Sequence, residues 1–271
     1  MSVAPATAKV NLALLVGPPR EDGKHEVATV LQRVDLADRI TVEPSDRTEV
    51  TGFPGDTLVR GALAALAERA GGGAWKARIE KRIPVAAGLG GGSSDAATAL
   101  LLANAMLPRP CPDHELHELA SGIGADVPFF LRSGPQLGTG DGADLAELAL
   151  PQDYVVLLLL PDGARKESTA AVYRSFDERE GARGFAERLA ELRSALSAVR
   201  HPEDLARLPR SDLASSPLAV RISELGAFRA DVSGAGPAVY GLFRERADAV
   251  AAARALRRSG TTFVTAPAWY G

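Results

Sequence analysis

Between Gly88 and Gly92 four of five residues are glycine, and Ser93, Ser94 and Asp95 follow before an apolar run. Glycine loses more freedom on folding than any other residue, so such a cluster destabilises a fold unless the chain needs positive φ or something must approach the backbone closely. Upstream, Lys76 to Ile83 has a partial period-2 alternation that predicts a strand leading into the loop. Downstream, Ser94 or Asp95 is placed to cap a helix whose Ala97, Leu100, Leu101 and Met106 fall at helical spacing. Strand, loop and helix in that order aim loop amides, the free N–H groups of the first helical turn and the positive end of the helix dipole at one point. That arrangement suits an anion such as a phosphate. A structural turn is the other reading of the same residues.

Two familiar phosphate motifs do not fit. A dinucleotide fingerprint needs a third glycine where Ser93 stands after Gly88 and Gly90, and no acidic residue ends a second parallel strand at the required distance. The stretch Gly17 to His25 imitates a phosphate-binding P-loop, but it has one residue too many between its glycines. It also places His25 where Ser or Thr must meet magnesium, and its two prolines remove amide donors, so it reads as a turn.

Other elements must position the loop and whatever works with it. Ala8 to Val16 alternates so that Val10, Leu12, Leu14 and Val16 share one strand face and Lys9 and Asn11 stand side by side on the other. Val27, Val30, Leu31 and Val34 have helical spacing but β-branched composition, which leaves that segment undecided. Helices are expected over Thr57 to Ala70, opened by Asp56 and closed by Gly71, and over Asp113 to Ser121, stopped by Gly122. In GADVPFF, Pro128 biases its neighbour toward extended geometry and leaves Asp126 on a constrained bend. After about Pro151 come a strand at Tyr154 to Leu160, helices near Gly184 to Val199, Pro217 to Leu225 and Arg246 to Arg258, and a final strand at Thr261 to Ala266. A second small-residue loop, Ser233 to Pro237, reads by itself as a hairpin turn. Strands and helices mix without regular βαβ repetition, so the expected class is α+β. Taken alone, Lys9 reads as a snorkelling side chain and Asp126 as a turn former.

Composition narrows the field. The 271 residues are 46% hydrophobic and 24% charged, with a net charge of −3, which argues against nucleic acid or an anionic membrane surface as partner. One cysteine, Cys111, forbids an intrachain disulfide and a cysteine zinc site. His114 and His117 lie three apart on an expected helix with no third ligand in view, and read as surface residues. Lys9 and Asn11 interrupt the first apolar stretch, so no secretory signal is read, and Tyr154 to Leu160 is too short to span a bilayer. The expectation is a cytoplasmic protein without a membrane partner.

Four stretches in order, PATAKVNL, PVAAGLGGGSSDAA, GADVPFF and SGAGPAVY, resemble the motifs of the kinase superfamily of galactokinase, homoserine kinase, mevalonate kinase and phosphomevalonate kinase, the GHMP kinases. The resemblance runs from about Pro5 to Phe243. The triple glycine Gly90 to Gly92 before two serines, and the GADVPFF phrase, look most like the branch that phosphorylates a cytidine-diphosphate sugar alcohol on the non-mevalonate isoprenoid route. The resemblance implies a two-domain α+β fold with the active site between an ATP-binding part, residues 1–150, and a C-terminal part, residues 151–271. It further implies ATP as phosphoryl donor with Mg²⁺, a small-molecule acceptor, and a monomer or weak homodimer.

Residue by residue, the resemblance gives Lys9 and Asp126 as the catalytic pair. Asp126 would accept the proton of the acceptor hydroxyl, and Lys9 would polarise the transferring phosphoryl. The nucleotide would be held by Pro84, Val85, Ala86, Ala87, Gly88, Leu89, Gly90, Gly91, Gly92, Ser93 and Ser94. The sequence assigns no magnesium ligands, and Ser94 is a candidate for a direct or water-mediated one. Asn11 and His25 would lie near the acceptor, His25 pairing with the cytosine edge, and Tyr173 would supply an aromatic platform. Three departures stand out. Lys24 occupies the place of a usual tyrosine, Arg210 to Ser216 lacks the expected asparagine and glutamate, and Pro237 removes one amide from the late loop. A sister kinase for a homoserine-like or mevalonate-like alcohol, and a nucleotide-binding paralogue without turnover, are the alternatives. Retention of both Lys9 and Asp126 speaks against the paralogue.

Overall fold

A computed structural model describes residues 1–164 and 168–268. Its first sheet is built on a long antiparallel hairpin of β1 (Ser2–Pro19) and β2 (His25–Pro44), closed by the turn that the false P-loop motif forms. The undecided segment after His25 is therefore strand, as its β-branched residues favour. Around it lie β3 (Glu49–Thr51), β4 (Trp75–Glu80), β5 (Gln136–Thr139) and β6 (Asp144–Glu147), in the order β3-β4-β2-β5-β6 with β1 on β2. The second sheet, order β10-β7-β9-β8, uses β7 (Val155–Pro161), β8 (Arg229–Val232), β9 (Val239–Phe243) and β10 (Gly260–Thr265), all antiparallel. Mixed strands and helices without a βαβ repeat give the α+β class.

The simple alternation expected over Ala8 to Val16 fails at one place. The register slips by one residue between Asn11 and Ala13, a bulge that places Leu12 and Ala13 together on the side packed against the second sheet. Beyond it Leu14 and Val16 fall on the other side, clustered with Val27, Phe176 and Leu213. Lys9, Asn11 and Leu14 therefore share the face that lines a cavity.

The helices α1 (Leu58–Arg69) and α2 (Gly91–Asn104) cover the first sheet on one side, through Val59, Leu63 and Leu66 of α1 and Ala96, Ala99, Leu100 and Ala103 of α2, and α3 (Asp113–Ile123) packs on α1. Asp56 opens α1 by accepting from the amides of Val59 and Arg60, and Gly71 follows its end with φ +70°. α3 runs through Gly122 and stops at Gly124, whose amide still closes onto Ala120. The expected caps of α2 are wrong: Gly90, with φ +70°, is the cap, and Ser94 and Asp95 lie inside the first turns, buried. Leu101 is exposed and Met106 lies past the helix end, because this face is built from alanines that let α2 approach the sheet and α1 closely.

In the second half, α4 (Thr169–Glu178) and α5 (Phe185–Ala198) precede α6 (Pro217–Glu224) and α7 (Arg246–Ala255). α7 ends three residues before the expected Arg258. One face of the second sheet packs on α6 and α7. The other shares a continuous core with β1 and β2, in which Val10, Leu12 and Val30 meet Tyr154, Val156, Leu158, Tyr240 and Leu242. No helix among the described residues is long and apolar enough to cross a membrane.

Candidate active site

The cavity opens where the two glycine loops meet. The loop between β4 and α2 and the hairpin turn between β8 and β9 touch through their backbones. Ser233 Oγ donates to the Gly88 carbonyl at 2.9 Å, and the amide of Ala238 donates to the Ala87 carbonyl at 3.0 Å. A Cβ on Gly88 would lie 2.4 Å from the Ser233 carbonyl oxygen, so only glycine fits. Gly90 has the same constraint toward Lys9, whose Cγ a Cβ there would meet at 2.9 Å. The late loop thus is a hairpin turn, as its sequence reads, and also a wall of the cavity. The bare backbone serves two ends at once: close packing of one loop on the other and on Lys9, and amides left free at the mouth of α2.

Inside the cavity, of about 490 Å³, stand Lys9, Asn11, every residue from Pro84 to Ser93, Asp126, Tyr173, Gly234 and Ala235. Lys9 Nζ lies 3.3 Å from Asp126 Oδ2 and donates to Asn11 Oδ1 at 2.7 Å. Asn11 Nδ2 donates in turn to Thr29 Oγ1 at 2.8 Å, and Thr29 donates to the carbonyl of Ala13 at 2.9 Å. A fixed chain of hydrogen bonds therefore aims a buried ammonium at a carboxylate held on the turn before the 3-10 segment Pro128–Leu131. Tyr173 is half-buried, and burial, with the Asp126 charge adding, pushes its phenol up, so it is neutral beside the pair.

Two expected site residues lie elsewhere. Ser94 is buried and Ser93 lines the cavity in its stead, one position earlier because the helix starts earlier. His25 stands behind the wall: its Nε2 meets Asp177 Oδ1 at 2.8 Å, and its ring lies 4.8 Å from that of Tyr173.

A group that local spacing gave no hint of sits at the mouth of α2. Lys81 lines the cavity, is ion-paired with Asp38 and donates to Asp95 Oδ2 at 2.8 Å. Asp38 also accepts from the amides of Arg82 and Ile83. Burial, together with the charge on Asp38, pushes the Asp95 carboxyl up to about 8 against the pull of Lys81. Among the described residues no group of three or more His, Cys, Asp or Glu is placed to hold a metal by itself.

Comparison with known proteins agrees with this geometry. The family model described as the GHMP kinases N terminal domain matches residues 57–134, and that of the GHMP kinases C terminal matches 217–262. A protein of Pelobacter propionicus named 4-diphosphocytidyl-2-C-methyl-D-erythritol kinase is 39% identical over 265 residues, 91% of each chain. A protein of the same name from Chlorobium phaeobacteroides is 36% identical, covering 97% of this chain and 96% of its own. A solved structure of 4-(cytidine 5'-diphospho)-2C-methyl-D-erythritol kinase superposes over 100% of both chains with TM-score 0.80 and 34% identity. A mevalonate kinase structure, at TM-score 0.73 but 14% identity and 98% of this chain, shares the fold alone. The chain belongs to the GHMP kinase family, within the group of relatives named 4-diphosphocytidyl-2-C-methyl-D-erythritol kinase.

Proposed function

We propose that this chain transfers the γ-phosphoryl group of ATP to the 2-hydroxyl of 4-diphosphocytidyl-2-C-methyl-D-erythritol, in the cytoplasm, on the route to isoprenoid precursors. The observation that carries the reading is the Lys9–Asp126 contact of 3.3 Å inside a cavity walled by both glycine loops. Residues 1–150 supply the nucleotide loop and the catalytic pair, and residues 151–271 supply Tyr173 and the late loop that complete the acceptor side.

Phosphoryl transfer asks the protein mainly to position two oxygens in line and to spread the charge on three others. The free amides at the start of α2 and in the loop from Pro84 to Ser93 hold the phosphates. Asp126 accepts the proton of the attacking hydroxyl as the new P–O bond forms and the bond to the ADP oxygen breaks. Lys9 donates to the transferring phosphoryl, where negative charge gathers, while Asn11 keeps its ammonium in place. Tyr173 and, behind it, His25 hold the acceptor's base. A divalent ion fits this donor set as one that arrives with the triphosphate, since phosphate oxygens and water supply most ligands of magnesium. Bound with the nucleotide, such an ion would neutralise phosphate charge, and Ser93, whose residue lines the cavity, would be the loop hydroxyl to serve it.

The test is a coupled ADP-release assay with ATP and a panel of alcohols. Turnover of the cytidine-diphosphate alcohol with little on homoserine or mevalonate is expected. The reverse preference would make the chain a sister kinase, and no turnover on any alcohol despite ATP binding would make it a non-catalytic paralogue.

A further inference from the structure

Two turns from different hairpins meet at the rim of the cavity. The amide of Val27, just after the β1–β2 turn, donates to the Gly140 carbonyl in the β5–β6 turn at 2.7 Å. The Lys24 ammonium reaches across to Asp141 Oδ2. Gly140 and Gly142, with φ +70° and +103°, fold the chain around Asp141, and the Ala143 amide donates to Asp141 Oδ1 at 3.2 Å. Lys24 is 58% exposed and points its stem to solvent, whereas Asp141 is 23% exposed and lines the cavity together with Leu14, Val27 and Tyr173. The hydrogen bond from Lys24, with that from Ala143 assisting, holds the Asp141 carboxyl below the usual range. It is therefore an acceptor only at neutral pH. Each carboxylate oxygen has two lone-pair sites and each is used once, so acceptor capacity remains on a group that faces the ligand space.

An ionised carboxylate accepts from an amine and repels a carbonyl oxygen. Cytosine presents an exocyclic N4 amine at the position where a uracil ring presents an oxygen. Resting on the kinase reading above, we propose that Asp141 is a specificity-determining residue that accepts a hydrogen bond from the exocyclic amine of the acceptor's cytosine, and that Lys24 is a positioning residue that holds it there.

The experiment compares kcat/KM for the cytidine-diphosphate alcohol and for its deaminated, uridine counterpart at saturating ATP, in the wild type, Asp141→Asn, Lys24→Met and Lys24→Arg. The wild type is expected to favour the cytidine compound. Asp141→Asn, whose amide can donate to a uracil oxygen as well as accept from an amine, is expected to lower the cytidine-to-uridine ratio about 10- to 100-fold, chiefly through KM. Lys24→Met should lower the ratio less and Lys24→Arg should restore it, and these exposed variants carry the test if the 141 turn tolerates no change. A pair that only tethers the two turns would lower the melting temperature and raise both KM values by one factor, leaving the ratio unmoved, which overturns the inference. So would a wild-type ratio near one with good turnover. No turnover of the cytidine compound, with turnover of another alcohol, would overturn the kinase reading itself and this inference with it.

Discussion

Asp126 is 40% exposed at its side chain and Lys9 only 5%, a division that suits the roles proposed for them. In that reading the carboxylate meets an incoming hydroxyl, and the ammonium is held while charge develops beside it. Lys9 has three donors, of which Asn11 engages one while Asp126 stands by as an ion pair at 3.3 Å, so donor capacity remains for the phosphoryl. Replacing Asp126 by asparagine keeps the shape but removes the proton acceptor. The expected result is a fall in kcat of about 10²- to 10⁴-fold with nucleotide affinity retained by calorimetry; a variant that keeps most of its kcat would remove Asp126 from the role of base. His25 stands one step behind the cavity wall. Its ring supports Tyr173, and its Nε2 is occupied by Asp177, so His25→Ala should raise KM for the cytidine substrate several-fold with little change in KM for ATP. A rise confined to ATP would place the histidine elsewhere in the mechanism. Lys9 and Asp126 were legible only as members of an ordered set of motifs, since each by itself is an ordinary strand or turn residue. Lys81 was not legible at all, because its partners Asp38 and Asp95 lie 43 and 14 residues away and only the folded sheet unites them.

The unit of strand, glycine loop and helix could be read from residues 76–104 because each part has its own local signal: alternation, bare backbone, helical spacing. Its details could not. The cap moved from Ser94 to Gly90 because the backbone there adopts φ +70° to pass Lys9 and Phe130, a tertiary demand with no local spacing. The β1 alternation broke at a one-residue bulge, which no period-2 pattern reveals. Contact between the loops gives a sharp test: Gly88→Ala puts a methyl 2.4 Å from the Ser233 oxygen and 2.9 Å from that of Gly236, at φ +82°. The two loops must part, so activity should be largely lost and the melting temperature lowered. Full activity would show that the contact is dispensable. The Asp38–Lys81–Asp95 group under the same loop should write itself into the pH dependence. Asp95 titrates near 8 in the fold and near the ordinary carboxylate value when unfolded, so between those values the folded state holds a proton that the unfolded state has lost. Stability then falls as pH rises through that window, by at most about 1.4 kcal/mol per pH unit for one proton. Asp95→Asn, which mimics the protonated carboxyl beside Asp38 and Lys81, should flatten denaturation midpoints between pH 5 and 8. An unchanged slope would mean that Asp95 stays ionised.

The two sheets do not behave as independent bodies, because the hairpin of the first supplies one wall of the core of the second. One side chain ties this arrangement to the active site. Arg229, on β8 and almost wholly buried, donates to the carbonyls of Leu12, Leu205, Leu208 and Pro209 and to Tyr240 Oη, and lies 3.6 Å from Asp231. Leu12 is the bulge residue of β1, so the guanidinium fixes the point where that strand changes face. The strand that carries it ends at Val232, next to the Ser233 hydroxyl that holds Gly88. Arg229→Met would fill similar volume but remove the five hydrogen bonds the guanidinium donates and the cationic partner of Asp231, a loss that typically costs about 3–5 kcal/mol. For a chain of this size that corresponds to a fall of roughly 10 °C in melting temperature. Because the core is shared, the loss should appear as one earlier transition by circular dichroism and by calorimetry. At temperatures where the variant is still folded, kcat should fall more than nucleotide affinity, since Arg229 holds the β1 bulge next to Asn11 while none of its hydrogen bonds reaches α2. A variant that melts with the wild type, or that splits into two transitions with only the second sheet weakened, would refute the idea that this residue couples the sheets to the site.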